Sequence, residues 1–405
     1  MPVSTTNASL PEPTPEERDR SARLTARIAE RIVQSGGWLP FSDYMHMALY
    51  EPGLGYYDAQ GRKFGAQGDF VTAPEISPLF SRTLARPVCQ ALEALPAQVL
   101  EFGAGTGALA ADLIPALQAQ GVEGLQYFIV EVSADLRARQ QERLAGLPVT
   151  WLDALPTAFE GVILANEVLD VLPVQLFVRE ADGVWERGVR CDARDDEREG
   201  ARPAEAGAGS IQEIAPGAGV LRFSGRRAPA ALAAQVAAIE QIVGTLPTGY
   251  GSEVCPLVGA WIAALGACLQ RGLIVLLDYG FPQHEYYHPQ RAMGTLMCHY
   301  RQHAHAQPLW LPGLNDITAH VDFSACARAA QDCGLDVLGY TSQAHFLLNC
   351  GILDLLAERL EPALAGAVQR LVSEAEMGEL VKVLALGRGL DSAPGFARGD
   401  RRHRL

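Results

Sequence analysis

The stretch VLEFGAGTGALAADLI, beginning at Val99, runs a short apolar strand signal into Gly103, Gly105 and Gly107 and then directly into an apolar helix. Glycines alternating at such a turn let backbone approach a ligand or take positive φ, and Glu101, Ala104 and Thr106 ride on the same string. Because Ala108 follows Gly107, the string satisfies the dinucleotide pattern G-x-G-x-x-[G/A] as well as the turn of enzymes that bind S-adenosyl-L-methionine. The glycines alone leave hydride transfer and methyl transfer both open. Acids shift the balance. Glu131 ends YFIVEV, where a carboxylate can accept both hydroxyls of a ribose, and Asp153 ends VTWLD, where it can accept from an adenine amino group. Acids at three successive strand ends, Glu101, Glu131 and Asp153, suit a cationic sulfonium, whereas a pyrophosphate close by would be repelled. That favours methyl transfer over an NAD(P)-dependent oxidoreductase.

Such a turn needs a strand before it and a helix behind it. VLEF, YFIVEV, VTWLD and GVILANE alternate with helical stretches, one from about Gly107 and one through Leu144, which predicts a parallel sheet with helices on both faces. Ligands of such sheets sit at the carboxyl ends of the strands, where these glycines and acids fall. Ahead of the sheet, Leu24, Ile28 and Ile32 recur every fourth residue before Gly36-Gly37, an amphipathic helix with its stop signal. A second short helix is expected from Ser42 or Asp43 to Pro52, then the polar loop GAQGDFVTAPEIS. A helix from about Ser77 runs toward Leu95, with Pro87 expected to kink or break it. Beyond the fourth strand, QLFVREADGVWERGVR reads as a hairpin about Asp182-Gly183, and residues 191–230 as a poorly ordered excursion. Helices near 230–245 and 252–270 lead to GLIVLLDYG, which resumes the sheet. The expected organisation is a disordered leader (1–20), a helical cap and lid (21–96), a first core segment (97–180), an inserted substrate lobe (181–270), a second core segment with C-terminal helices (271–390) and a flexible tail (391–405).

Composition narrows the function classes. With 405 residues, 48% hydrophobic and 20% charged, the protein has enough apolar sequence to bury a large core. A net charge of −14 argues against a general nucleic-acid binder, which would need a concentrated basic face. Eight cysteines without a C-x-x-C pair or zinc spacing predict reduced thiols and no metal site. The first twenty residues carry no apolar run and no cation before Arg18, so no targeting peptide is expected. With no stretch of about 18 apolar residues, no membrane span is expected either, and a cytoplasmic location follows.

GDFVTAPEIS, EFGAGTG, NEVLDVLPV, GTLMCHYR, the run ITAHVDF from Ile317 to Phe323, and MGELVKVLALGRG together resemble the mitochondrial-dysfunction-A (MidA) family of methyltransferases over about residues 20–390. The resemblance implies a class I S-adenosyl-L-methionine-dependent fold: a Rossmann-like, mostly parallel α/β sheet with the glycine turn as the cofactor's seat. The family's mitochondrial members are complex I assembly factors that methylate a protein arginine. A protein arginine, on a respiratory complex I subunit, is therefore the implied acceptor. This sequence departs from those members in lacking a mitochondrial presequence, and nothing in it names the target. A non-catalytic assembly factor that keeps the cofactor pocket is the rival reading.

An arginine acceptor sets requirements. Its guanidinium stays protonated and the donor sulfonium is also positive, so two unit charges about 4 Å apart would repel by roughly 4 kcal/mol at an effective dielectric near 20. Carboxylates in bidentate geometry best meet the planar fork. NEVLDVLPV puts Glu167 and Asp170 three apart at the end of the fourth strand, sharing a face if a helical turn starts there. Asn166 stands beside them to bond the donor's amino-acid part or the substrate, and capping a helix start is the alternative role of the two acids. Glu75 is a third candidate, on a loop that would close over the cofactor with Phe70 against the adenine or methionine chain and Thr72 hydrogen-bonding. Bracing of that loop for its own sake is the alternative. His320, beside Asp322, is the expected carrier of the proton that a methylated guanidinium loses. Glu167, Asp170, Glu75 and His320 are thus the expected catalytic set. The expected cofactor set is Glu101, Gly103, Ala104, Gly105, Thr106, Gly107, Glu131, Asp153, Asn166, Phe70 and Thr72.

Overall fold

The computed structural model describes residues 10–58, 71–192, 219–359 and 361–405. They divide into two compact units, the first drawn from 1–70, 187–226 and 296–317, the second from 71–186, 227–295 and 318–405. Phe70, with the rest of 59–70, lies outside the described residues, as do 193–218, the bulk of the expected excursion.

In the first unit, α1 (Pro15–Gln34) starts inside the segment expected to be a disordered leader. Thr14 and Glu17 form a reciprocal cap: the Thr14 hydroxyl accepts the Glu17 N–H at 3.2 Å and the Glu17 carboxylate accepts the Thr14 N–H at 2.7 Å. Pro15 takes the first helical position, where its missing N–H costs nothing. Leu24, Ile28 and Ile32 bury the predicted stripe, and α2 (Phe41–Tyr50) follows. Leu39–Pro40 pairs antiparallel with Gly188–Val189, and Met297–Tyr300 with His303–His305.

The second unit holds α3 (Pro78–Leu92), α4 (Ala108–Ala119), α5 (Ala134–Arg143), α6 (Leu257–Cys268) and α7 (Phe323–Asp332) around one large sheet. Its strands are β1 (Gln98–Phe102), β2 (Gln126–Val130), β3 (Val149–Leu152), β4 (Phe159–Asn166), β5 (Leu269–Phe281), β6 (Asp336–Ser342) and β7 (Val381–Arg388), in the order β6-β7-β5-β4-β1-β2-β3. Neighbours from β5 through β3 run parallel, and β7 is antiparallel to both β5 and β6. Strand pleat sorts the core onto two faces. Leu273, Val275 and Leu277 of β5 pack with Leu109, Leu113 and Leu117 of α4, whereas Ile274 and Leu276 pack with Ile262, Leu265 and Cys326 of α6 and α7.

Three local expectations change. Helix α3 continues through Pro87 instead of ending there, because Leu79, Phe80, Leu84, Val88 and Ala91 on both sides of the proline bury against one core. Within the helix expected over 252–270, the strand Tyr250–Val254 comes first, pairing antiparallel with Gln175–Glu180. The expected flexible tail is packed: the Arg401 N–H donates to the Tyr340 carbonyl at 2.6 Å and its guanidinium grips Glu379 at 2.5 and 3.2 Å. Asn349 donates to the carbonyls of Gly395 and Arg398 at 3.0 and 2.8 Å. Among the described residues no helix is long and apolar enough to cross a membrane, and no three His, Cys, Asp or Glu side chains converge as a metal site.

Candidate active site

The turn after β1 places Gly103, Gly105 and Gly107 at φ of 59°, 56° and 81°, the left-handed region closed to most side chains. A Cβ on Gly103 would meet Val168 at 3.0 Å and one on Gly107 would meet Leu144 at 3.2 Å, so packing as well as conformation demands glycine. Gly103 N–H donates to the carbonyl of Val130 at 3.2 Å, tying the turn to the end of β2.

Glu131 follows β2 and lies almost wholly buried at the same sheet edge. One oxygen accepts from the Ser133 N–H at 2.9 Å and the other from the Gln140 amide at 2.9 Å. Gln140, fully buried on α5, also donates to the Gly105 carbonyl at 2.9 Å and accepts from the Trp151 indole of β3 at 3.0 Å. One side chain thus fixes the glycine turn, the Glu131 carboxylate and the third strand together. Beside them Val132 is 82% exposed among the described residues, an apolar side chain at the strand end.

The other two strand-end acids have partners of their own. Glu101 is buried among core residues, where it accepts from the Tyr127 hydroxyl at 2.7 Å. Burial, opposed by that bond and aided by the charge of Glu131, pushes its carboxyl up to about 7. Asp153 points to solvent, 88% exposed, and pairs with Arg137. Glu75, on the short helix Ala73–Ile76 behind Thr72, accepts from the Thr106 hydroxyl of the glycine turn and from Arg143 at 3.1 Å, while Arg143 also donates to Thr106 at 2.5 Å. Its carboxylate braces the glycine turn, while the Ala73 N–H of the same short helix donates to Glu167 at 3.4 Å. The neighbouring turn residue Ala104 is buried.

At the end of β4 no helical turn starts at Glu167, so Glu167 and Asp170 are not brought to one face in that way. The N–H groups of Val168, Leu169 and Asp170 converge instead on one oxygen of Asp278, at 3.1, 2.8 and 3.3 Å, and its other oxygen accepts the Tyr279 N–H at 2.8 Å. Asp278, fully buried at the end of β5, is a residue that sequence reasoning passes over. Burial raises its carboxyl and these four bonds pull it back. The wrapped turn forces Glu167 to φ 53°, an unusual conformation for a side chain of that size. Its carboxylate accepts weakly from Asn166 at 3.3 Å and from the Ala73 N–H at 3.4 Å. The Asn166 side-chain amide oxygen is buried without a hydrogen-bond partner among the described residues. Burial, then the charges of Glu167, Asp170 and Asp278, drive the Tyr279 hydroxyl far above its usual range.

His320 stacks near this corner, its ring 6.0 Å from Tyr279 and 5.3 Å from Phe281. Burial, then the charges of Arg291 and Lys382, lower it to about 4, so it is a neutral imidazole at pH 7. The expected partnership with Asp322 does not form: Asp322 caps α7, accepting the Ala325 N–H at 3.0 Å.

The turn, the fixed carboxylate at the end of β2 and the exposed Val132 fit a nucleoside, and the orphaned Asn166 oxygen fits an added amino group. The sequence family described as "Putative S-adenosyl-L-methionine-dependent methyltransferase" matches residues 83–341. The protein is similar to a crystallised Burkholderia thailandensis protein bound to S-adenosyl-homocysteine, at 49% identity and a TM-score of 0.87, covering 98% of this sequence and 100% of that one. It is also similar to the mouse and zebrafish proteins named protein arginine methyltransferase NDUFAF7, mitochondrial. Identity to the mouse protein is 30%, with 87% of this sequence and 82% of that one covered; to the zebrafish protein it is 27%, with 88% and 85% covered. Those mitochondrial names overturn the expectation of a cytoplasmic location. S-adenosyl-L-methionine is the cofactor, and the dinucleotide alternative falls. The protein belongs to this family of S-adenosyl-L-methionine-dependent methyltransferases.

Proposed function

We propose that the enzyme methylates the guanidinium of a protein arginine, with the corner formed by Glu167 and Asp170 as the acceptor's seat. The observation that carries this reading is the turn over residues 168–170, gripped by Asp278, which sets Glu167 and Asp170 at the carboxyl end of β4 with Glu167 at φ 53°. An anionic corner offsets the repulsion of about 4 kcal/mol between a guanidinium and a sulfonium some 4 Å apart. The names of the vertebrate relatives support the same acceptor, and the MidA resemblance makes a respiratory complex I subunit the first protein to try.

S-adenosyl-L-methionine supplies an electrophilic methyl group. Glu131, held by Ser133 and Gln140, would hold its ribose hydroxyls, the glycine turn would pass its backbone close beside, and Asn166 would bond its amino-acid part. Glu167 and Asp170 would accept from the guanidinium and orient one nitrogen. Asp278 holds the turn that carries both acids. Burial makes His320 a weak base, and Glu167 and Asp170, which would bond the guanidinium directly, are the nearer acceptors for its departing proton.

Glu167→Gln tests this. It keeps volume and hydrogen bonding and removes charge. S-adenosyl-homocysteine should bind nearly as before, while transfer of labelled methyl to an arginine-bearing protein should fall by about 10² or more. Full activity in this variant and in Asp170→Asn would overturn the clamp. A wild-type protein that binds cofactor and methylates no arginine acceptor would favour the non-catalytic assembly factor.

A further inference from the structure

Next to the acidic corner, the end of β5 carries charge of the opposite sign. The Arg291 guanidinium carbon lies 3.9 Å from the centre of the Phe281 ring. Its Nε is buried without an acceptor, and among the described residues no carboxylate lies within ion-pair distance of it. Glu253, whose charge does reach it, is fully buried and already accepts from the Tyr286 hydroxyl at 2.7 Å and from the N–H and hydroxyl of Thr295 at 2.9 and 2.6 Å. Lys382 stands 5.6 Å from the same Phe281 ring, but Glu379 holds its ammonium with its main-chain carbonyl and its carboxylate at 3.4 Å. His320, packed on the other side, is uncharged.

A guanidinium that has given up water at Nε without gaining an acceptor is costly, and a protein of net charge −14 has carboxylates to spare for it elsewhere on its surface. Beside Glu253, whose carboxylate is already bonded to Tyr286 and Thr295, its neighbours among the described residues are an aromatic ring, a neutral imidazole and an ammonium already committed. The residue as a whole is partly exposed, and Nε is the guanidinium nitrogen buried without a partner among the described residues. Tyr279 links the two corners: its hydroxyl feels Glu167 and Asp170, and its ring lies 6.0 Å from His320.

We propose that Arg291, seated on Phe281, receives a carboxylate of the acceptor, so that the enzyme prefers a cationic side chain with an acidic group a short way along the same polypeptide. This rests on the acceptor being a protein arginine. An Asp or Glu residue and a free carboxyl terminus offer the same chemistry.

The test uses full-length protein saturated with S-adenosyl-homocysteine and fluorescent peptides read by anisotropy. One set has an amidated end, a single Arg and an Asp scanned along the peptide. A second set has Asn at each Asp position, and a third has Asn with a free C-terminal carboxylate. A fourth repeats the Asp set with Ala in place of Arg. At least one carboxylate-bearing peptide should bind about tenfold or more tighter than its neutral counterpart. Arg291→Gln should bring that ratio to about one with cofactor affinity unchanged, and Arg291→Lys should retain part of it. Preference confined to the third set assigns the carboxylate to the end of a polypeptide. An Asp preference that depends on Arg291 and persists in the fourth set keeps the carboxylate site and removes the arginine acceptor. No preference in wild type, or the same preference in Arg291→Gln, overturns the proposal.

Discussion

Replacing Gln140 by Met keeps the length of the side chain and removes three hydrogen bonds, to the Gly105 carbonyl, the Glu131 carboxylate and the Trp151 indole. Two neutral bonds at about 1 kcal/mol each and one to a carboxylate at about 1.5–3 give a stability loss of about 4 kcal/mol, heavy for one residue but within the margin of most folded domains. The consequence for binding is separate. Glu131 keeps only the Ser133 N–H at 2.9 Å, its carboxylate regains rotational freedom, and the turn loses its tie at Gly105. Affinity for S-adenosyl-homocysteine should fall about tenfold, or about 1.4 kcal/mol. Titration calorimetry on Gln140→Met, Glu131→Ala and the double variant checks the mechanism. Glu131→Ala alone should cost about 1.5–3 kcal/mol for each ribose bond lost. Because Gln140 acts on binding largely through Glu131, the double variant should lose little more than Glu131→Ala, a coupling of at least about 0.5 kcal/mol. Strictly additive losses, or wild-type affinity in a folded Gln140→Met protein, would refute this account.

Glu101→Gln should be neutral to stability near pH 4 and stabilising at pH 7 and above in the absence of ligand. Burial raises the folded carboxyl from 4.5 to about 7, so its favourable contribution is complete below 4.5 and is lost as pH rises through 7; Gln escapes that loss, worth up to about 3 kcal/mol by denaturant titration at pH 8.5, and an equal effect at both pH values would sink the assignment. Glu167→Gly should relieve the strain at φ 53° and raise stability by about 1 kcal/mol while methyl transfer is lost; a destabilised or fully active variant would show that the turn is not strained for function. Gly105→Val should abolish cofactor binding in a protein that still folds, since the left-handed backbone at φ 56° admits no branched side chain; normal binding would move the cofactor away from the turn.

What is readable in the sequence is what local pattern encodes. The alternation of strands and helices, the glycine turn and the strand-end position of Glu131 depend on residues within about one turn of one another, and so they announce the sheet and the seat of a nucleotide-like cofactor, while the family comes from the MidA strings. Gln140 has no such signal: in RARQQERL it sits among charged neighbours that read as a solvated face, and only the packing of α5 against the glycine turn buries it. Glu101 and Asp153 look alike as strand-end acids, yet pleat turns one into the core beside Tyr127 and leaves the other in water with Arg137. The corner of Glu167 and Asp170 escapes local reading for the same kind of reason. Their spacing suits a helix, but the carboxylate that captures the N–H groups of Val168, Leu169 and Asp170 comes from Asp278, 108 to 110 residues away. A buried acceptor across a parallel sheet overrides local helix preference because it satisfies three donors at once, which no residue inside the turn does. The left-handed Glu167 follows from that capture, so the geometry of the candidate acceptor site is a property of the paired ends of β4 and β5 and was never a property of the string NEVLD.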